Sequence, residues 1–182
     1  MKKTIAQTLI KLMETTNYDH ISVSMICNAV PVSRPTFYKY FHDKDNVIEW
    51  FVENDFRENC YPVFKFHLKE RGVQTYFSYL KNHKKFYVDL CNINQGAFIH
   101  HCLQRAYINA TANIQEYSKK VNSYSYIVDT MVFTLYSSSG IASVVVYWIK
   151  NGMTIPEEKI AKDLYYMMEK SLTDVRDYHI VK

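Results

Sequence analysis

Residues 21–45 read ISVSMICNAVPVSRPTFYKYFHDKD, and the fold turns on this stretch. Ser22 is placed to cap a short helix carrying Val23, Ile26, Cys27 and Ala29, because its hydroxyl can accept from an orphan first-turn amide. Val30-Pro31-Val32-Ser33 interrupts that helix. The next helix is expected to start near Pro35, whose fixed φ suits a first turn. Arg34, preceding a proline, is pushed toward extended geometry and so falls at or just before the cap. This helix runs to about Phe41, and His42 to Asp45 joins it to a fourth helix with Asp45 at the positive end. Upstream, Ile5, Leu9, Leu12 and Met13 form a helical stripe between Thr4 and Thr15. Turn chemistry at Asn17-Tyr18-Asp19-His20 ends it. Three short helices, the last two joined by a tight turn, have the dimensions of a helix-turn-helix unit.

The third helix carries the chemistry that such a unit needs. Phe37 and Phe41 are four apart and can anchor one face in a core. Arg34, Pro35, Thr36, Tyr38, Lys39 and Tyr40 then share the outer surface. Arg can pair with guanine through two hydrogen bonds, and proline or a threonine methyl can touch a thymine methyl. Tyr hydroxyls and Lys ammoniums bind phosphates and fix register. Residues 1–44 hold six Lys/Arg against three acids, while the remainder is nearly balanced within the total of +4. The positive excess thus lies beside the same helix, as a polyanion partner requires.

At these residues the sequence resembles the TetR family of regulators. The match runs from Ile21 to Asp45, with Ile26, Ala29, Val32-Ser33, Thr36-Phe37-Tyr38, Phe41 and Lys44 at its centre and RPTFYKYF as its most specific segment. The resemblance implies that Arg34, Pro35, Thr36, Tyr38 and Lys39 lie in or on the rim of the major groove. It implies phosphate contacts for Tyr40 and Lys44, and places Ser24 and Ser33 against the DNA as well. The family usually has glycine where this chain has Pro31; proline cannot adopt positive φ, so the turn is expected to close differently. Gly140…Trp148-Ile149…Gly152…Pro156-Glu157-Glu158 also resembles the family's last two helices, which implies a homodimer joined through them. The chain as a whole is similar to the subgroup of dihydroxyacetone-kinase regulators.

Beyond the headpiece the pattern stays helical. The fourth helix is expected over about 45–65, with Val47, Trp50, Phe51, Asn54 and Phe56 on one broad face. Further helices are expected over 75–83, 85–91, 95–119, 124–151 and 156–172, with Asn151-Gly152 as a stop. Ile160, Leu164, Met167, Met168 and Leu172 give the last its stripe. Val144-Val145-Val146 suits a strand by propensity but reads as buried helix in this setting. Only four Gly and four Pro in 182 residues disfavour a turn-rich β-protein. The expectation is an all-α chain: an N-terminal three-helix headpiece over 1–46 and a helical effector and dimerisation bundle over 47–182.

Family logic puts an effector pocket in the aromatic-rich 72–150 region, where Tyr76, Tyr79, Tyr87, Phe98, His101 and Tyr136 are candidates; equally, aromatics at helical spacing simply fill a core. Adjacent His100 and His101 point about 100° apart on a helix and cannot chelate one metal together. Ser137-Ser138-Ser139-Gly140 lacks a nucleophile elbow, and small residues there permit close helix approach. Cys27, Cys60, Cys91 and Cys102 form no CxxC pair and read as reduced, buried thiols. No cofactor or metal is expected. Gln7 and Lys11 interrupt the N-terminal apolar run, so no signal peptide is read there. The run from Gly140 to Ile149 falls short of the roughly 20 residues a membrane span needs. The expectation is therefore a cytoplasmic homodimer on a double-stranded, pseudopalindromic operator, controlled by a small molecule. Its rivals are a DNA-binding regulator whose body docks a protein, and a helical-bundle enzyme that never binds DNA.

Overall fold

The computed structural model describes residues 1–59, 69–112 and 129–177, and these are helical throughout, with no strand among them. Helix α1 spans Lys2–Met13, α2 Val23–Ala29, α3 Arg34–Tyr38 and α4 Lys44–Asn59. The body continues with α5 (Lys69–Asn82), α6 (Lys84–Asn92), α7 (Ala97–Ala112), α8 (Thr130–Lys150) and α9 (Glu157–Asp177). Short 3-10 turns at Tyr18–His20 and Ile93–Gly96 link neighbours.

Local chemistry accounts for most boundaries. Ser22 Oγ accepts from the Met25 amide (3.3 Å), and Ser33 Oγ from the Thr36 amide (3.2 Å), so each helix of the pair starts on a serine cap. Arg34 therefore lies inside α3 as its first residue and Pro35 second, one place deeper than the pre-proline rule predicts. Helix α3 also stops at Tyr38; the chain then tightens, with the Tyr40 and Phe41 amides both bonded to the Phe37 carbonyl. Asp43 caps α4, accepting from the Asn46 amide at 2.7 Å, and Asp45 lies in its first turn, at the positive end as expected.

The end of α8 is a complete left-handed cap. Gly152 (φ +72°) donates to the Ile149 carbonyl, and Met153 to that of Trp148. The same motif closes α2 with one bond missing. Val32 N–H reaches the Cys27 carbonyl at 3.0 Å, but the residue between, Pro31, has no N–H and sits at φ +27°. The turn thus keeps the long bond of the motif without the short one, and in that respect closes differently from a glycine turn, as the missing N–H requires.

Two packed zones share α4. In the headpiece Ile5, Leu9, Ile26, Phe37 and Phe41 are buried with Val47 and Ile48 of α4. In the body Phe77, Leu80, Tyr87, Leu90, Ile99 and Trp148 form the centre, with Phe77 edge-on to Trp148 at 5.1 Å. The buried face of α4 carries Val47, Ile48, Val52, Asp55 and Phe56, so Asp55 takes the inward place expected for Asn54. Helix α5 starts six residues before the expected 75, while the expected ends of the fourth helix near 65 and of the helix from 95 at 119 lie outside the described residues, as does its successor's start at 124. Residues 144–146 are helical, inside α8. The window Met131–Lys150 is long and apolar enough to cross a membrane by length and composition alone, with mean hydropathy 1.5. Counting only the unbroken run from Gly140 misses this, because Thr134 and Ser137 to Ser139 dilute the helix without charging it.

Candidate nucleic-acid interface

The α2–α3 pair presents its outer face as one surface. Phe37 is fully buried and Phe41 is 2% exposed; their rings lie 6.0 Å apart, and Phe41 abuts Trp50 of α4 at 5.9 Å. This anchoring fixes which way α3 faces. Arg34, Pro35, Lys39 and Ser33 are exposed, Thr36 and Ser24 half-buried. Tyr38 is 54% and Tyr40 37% exposed. Large phenolic rings left in water at this density beside two cations mark a surface shaped for a partner.

Within that surface the side chains already hold one another. Arg34 Nη2 donates to Ser24 Oγ across the helix pair. The guanidinium has five N–H donors, so this bond aims the group without exhausting it. Ser33 Oγ lies 2.8 Å from Thr36 Oγ1 as well as capping α3, so both hydroxyls serve the helix start. Lys39 has no bonded acidic neighbour among the described residues.

Lys44 departs from the expectation of a free phosphate-binding cation. Its ammonium donates to the carbonyls of Tyr18 (2.7 Å), Ile21 (3.0 Å) and, at 3.4 Å, Asp19, and lies 4.3 Å from the centre of the Tyr18 ring. An ammonium has three protons, and three carbonyls claim them. The Tyr18 hydroxyl in turn donates to Asp45 Oδ1 at 2.5 Å. Burial, then that bond to the carboxylate, pushes the Tyr18 phenol far above its ordinary value, which keeps it a donor. Lys44 and Asp45 together pin the turn between α1 and α2 to the start of α4.

Of the six expected pocket residues, the structure gathers Tyr76, Tyr79 and Tyr87 near one another and leaves Phe98, His101 and Tyr136 on other helices. Tyr79 and Tyr87 donate to the two oxygens of buried Asp55, at 2.5 and 3.0 Å, and Asn59 Nδ2 adds a third bond at 3.1 Å. Tyr76 is buried nearby, edge-on to Phe56 at 5.1 Å. Phe98 is half-buried on α7, His101 faces solvent 3.9 Å from Glu49, and Tyr136 is 72% exposed on α8. A half-open cleft of about 270 Å³ lies elsewhere, between residues 13–19 of the headpiece and Lys85, Asp89 and Asn92 of α6 with Ile93 of the turn that follows. Asp55 is the functional-looking group that sequence reading missed. Its signal was slight: one acid at an apolar phase of α4, four residues before Asn59. Burial raises its carboxyl above the usual range, opposed by the two tyrosine bonds.

The serine run has a structural place. Ser138 is fully buried, bonded to the Leu135 carbonyl, and Gln104 of α7 donates to Ser139 at 2.7 Å. Cys27, Cys91 and Cys102 are buried free thiols, the last pushed up to about 12 by burial; Cys60 lies outside the described residues.

Comparison with known proteins agrees with this geometry. Residues 5–49 match the family of bacterial regulatory proteins of the tetR type, and residues 69–170 match a transcriptional regulator C-terminal region. The HTH-type dhaKLM operon transcriptional activator DhaS of Lactococcus lactis subsp. lactis (strain IL1403) is 31% identical over 95 residues, 52% of this chain. That match spans about half (51%) of the curated relative's length. Among solved structures, a dihydroxyacetone kinase operon activator DhaS superposes with TM-score 0.63 at 22% identity, over 94% of this chain and 96% of that one. A TetR-family transcriptional regulator from Syntrophomonas wolfei str. Goettingen gives 0.62 at 15% identity, over 94% of each chain. With both halves matched, this chain belongs to the tetR family of DNA-binding transcriptional regulators.

Proposed function

We propose that the protein works as a homodimer whose two α3 helices read successive major grooves of a pseudopalindromic operator. The observation that carries this is the fixed orientation of α3: Phe37 and Phe41 are buried while Arg34, Pro35, Tyr38, Lys39 and Tyr40 stand outward. Arg34, aimed by Ser24, supplies base readout; Lys39 and the two tyrosines supply phosphate contacts; Pro35 and the Thr36 methyl supply apolar contact. Lys44 acts one step back, by holding the turn that seats α2. Residues 1–46 are the DNA-binding part and 47–182 the body, with α4 crossing between them.

The dimer reading rests on the last two helices. Met131, Val132, Leu135, Tyr136 and Tyr147 of α8, with Tyr166 and Met167 of α9, are exposed large apolar groups, and Gly140 has open space around it. A second copy laid along these faces would bury them and use the small residues for close approach. A soluble regulator at its operator belongs in the cytoplasm.

Control through the body by a small molecule follows the family's logic. A second reading, in which the body docks a protein, is favoured by one observation: Tyr136 and His101 stand exposed on the body, and the Tyr79 and Tyr87 hydroxyls are taken up by Asp55. The test of the DNA reading is selection of bound sequences from a random duplex pool. The expected result is an enriched inverted repeat with half-sites about one helical turn apart; a pool that stays random overturns it.

A further inference from the structure

The positive excess of residues 1–44 rests on six cations, and the structure does not leave all six free to meet a polyanion. Lys44 is taken up by three carbonyls, and Arg34 is bonded to Ser24 within the reading face. Lys3 is paired, its Nζ 3.2 Å from Glu58 Oε2. Lys11 stands nine residues along α1 from Lys2, about 13 Å at 1.5 Å per residue. That leaves Lys39 beside α3 and Lys2 in the first turn of α1.

Lys2 returns to the end of α3 through Phe41. Its Nζ lies 5.6 Å from the centre of the Phe41 ring, whose other neighbours are Phe37 and Trp50 in the core. A lysine laid over an aromatic ring keeps its stem on the apolar surface and its charge in water, and Lys2 is exposed. The first turn of α1 carries no acid, and Lys2 has no bonded acidic neighbour among the described residues. Tyr40 and His42, which flank Phe41, are exposed as well. The ammonium is therefore a held, unneutralised charge just past the C-terminal end of α3, opposite the end that carries Arg34.

We propose that Lys2 is a DNA-binding residue that takes one backbone phosphate at the edge of each half-site, the role expected of Lys44. The recognition unit then includes the start of α1 as well as the α2–α3 pair. Phe41 serves it twice, as a core anchor for α3 and as the ring on which Lys2 is carried. A phosphate contact supplies affinity and register and no base preference. The inference rests on the operator-binding reading above.

The test uses the full chain and a duplex carrying the selected site, titrated over a salt series and, separately, after sparse random ethylation of its phosphates. Lys2→Met keeps a stem over Phe41 and removes the charge. It should lower the salt slope by about 0.9 for each half-site, so that a fourfold rise in salt costs it about 3.5-fold less affinity per half-site than the wild type. Ethylating one phosphate at the edge of each half-site should weaken the wild type and leave Lys2→Met indifferent, with every other sensitive phosphate shared. Lys2→Arg should restore both behaviours. Lys3→Ala, whose charge Glu58 already offsets, and Lys11→Ala should keep the wild-type slope and ethylation pattern. Circular dichroism and thermal unfolding on every variant separate lost folding from a lost contact. A wild-type slope in folded Lys2→Met, an ethylation pattern unchanged at every phosphate, or an equal loss of slope in Lys3→Ala would overturn the proposal. A wild type that binds no duplex sinks the operator reading and this inference with it. One that binds, and loses slope in Lys39→Ala but not in Lys2→Met, overturns this inference alone.

Discussion

Pro31 occupies a position that its own ring opposes. Its φ of +27° lies where proline is strained, and it withholds the N–H that Gly152 supplies in the matching cap of α8. Relief of such strain is worth about 1–3 kcal/mol, partly offset by the roughly 1 kcal/mol of chain entropy a glycine adds. Pro31→Gly should therefore stabilise the protein by about 1 kcal/mol, a rise of some 2–4 °C in melting temperature for this size. An unchanged or lower midpoint would show that proline is accommodated. Lys39 and Lys44 part company at the same scale. Lys39→Ala should weaken binding to every duplex and reduce the salt slope by about one unit, because an exposed phosphate contact carries that term. Lys44→Ala should chiefly lower the melting temperature, because it removes the clasp on the Tyr18–Ile21 turn; a salt slope reduced as much as in Lys39→Ala would restore Lys44 to the phosphate contacts. Sequence pattern found both lysines but could not separate them. Which backbone carbonyls surround an ammonium depends on where the chain returns, and residues 18–21 meet residue 44 only in the fold.

Among elements, α4 shows where periodicity stops being informative. Its apolar positions gave the helix, but the expected face held Asn54, whereas the inward residue is Asp55. An apolar template has no means of choosing an acid whose partners, Tyr79 and Tyr87, come from two other helices. The caps fared better because they are local: Ser22, Ser33 and the Asn151-Gly152 stop act within a few residues of themselves. The buried carboxyl has a measurable consequence. Burial raises its pKa above the unfolded value near about 4, so the folded state holds this proton more tightly than the unfolded chain. The contribution is fully present below that unfolded value and is lost as pH rises through the elevated folded one. Wild-type stability should decline across that window, and Asp55→Asn should flatten the decline in urea unfolding followed as a function of pH. Parallel curves for the two proteins would contradict the assignment.

At the scale of the whole molecule, the headpiece was legible in both fold and surface, and the body in its helices alone. RPTFYKYF states both its anchors and its outward groups within eight residues. The aromatics of the body state only that something is buried, and the same rings serve a core or a cavity. The exposed faces of α8 and α9 are where we propose that a second copy docks. Leu135→Glu combined with Tyr147→Glu should convert a dimer to a monomer in sedimentation and cut affinity for a two-half-site duplex; a variant that stays dimeric would move the interface elsewhere. The central claim is that α3 reads bases through its outward face. It is tested most directly by comparing the sequences selected by the wild type and by Arg34→Ala from one random duplex pool. The account predicts relaxed discrimination at a single position in each half-site, by roughly 1–3 kcal/mol if the guanidinium pairs with guanine through two bonds, with the rest of the site unchanged. Identical selected profiles would contradict it.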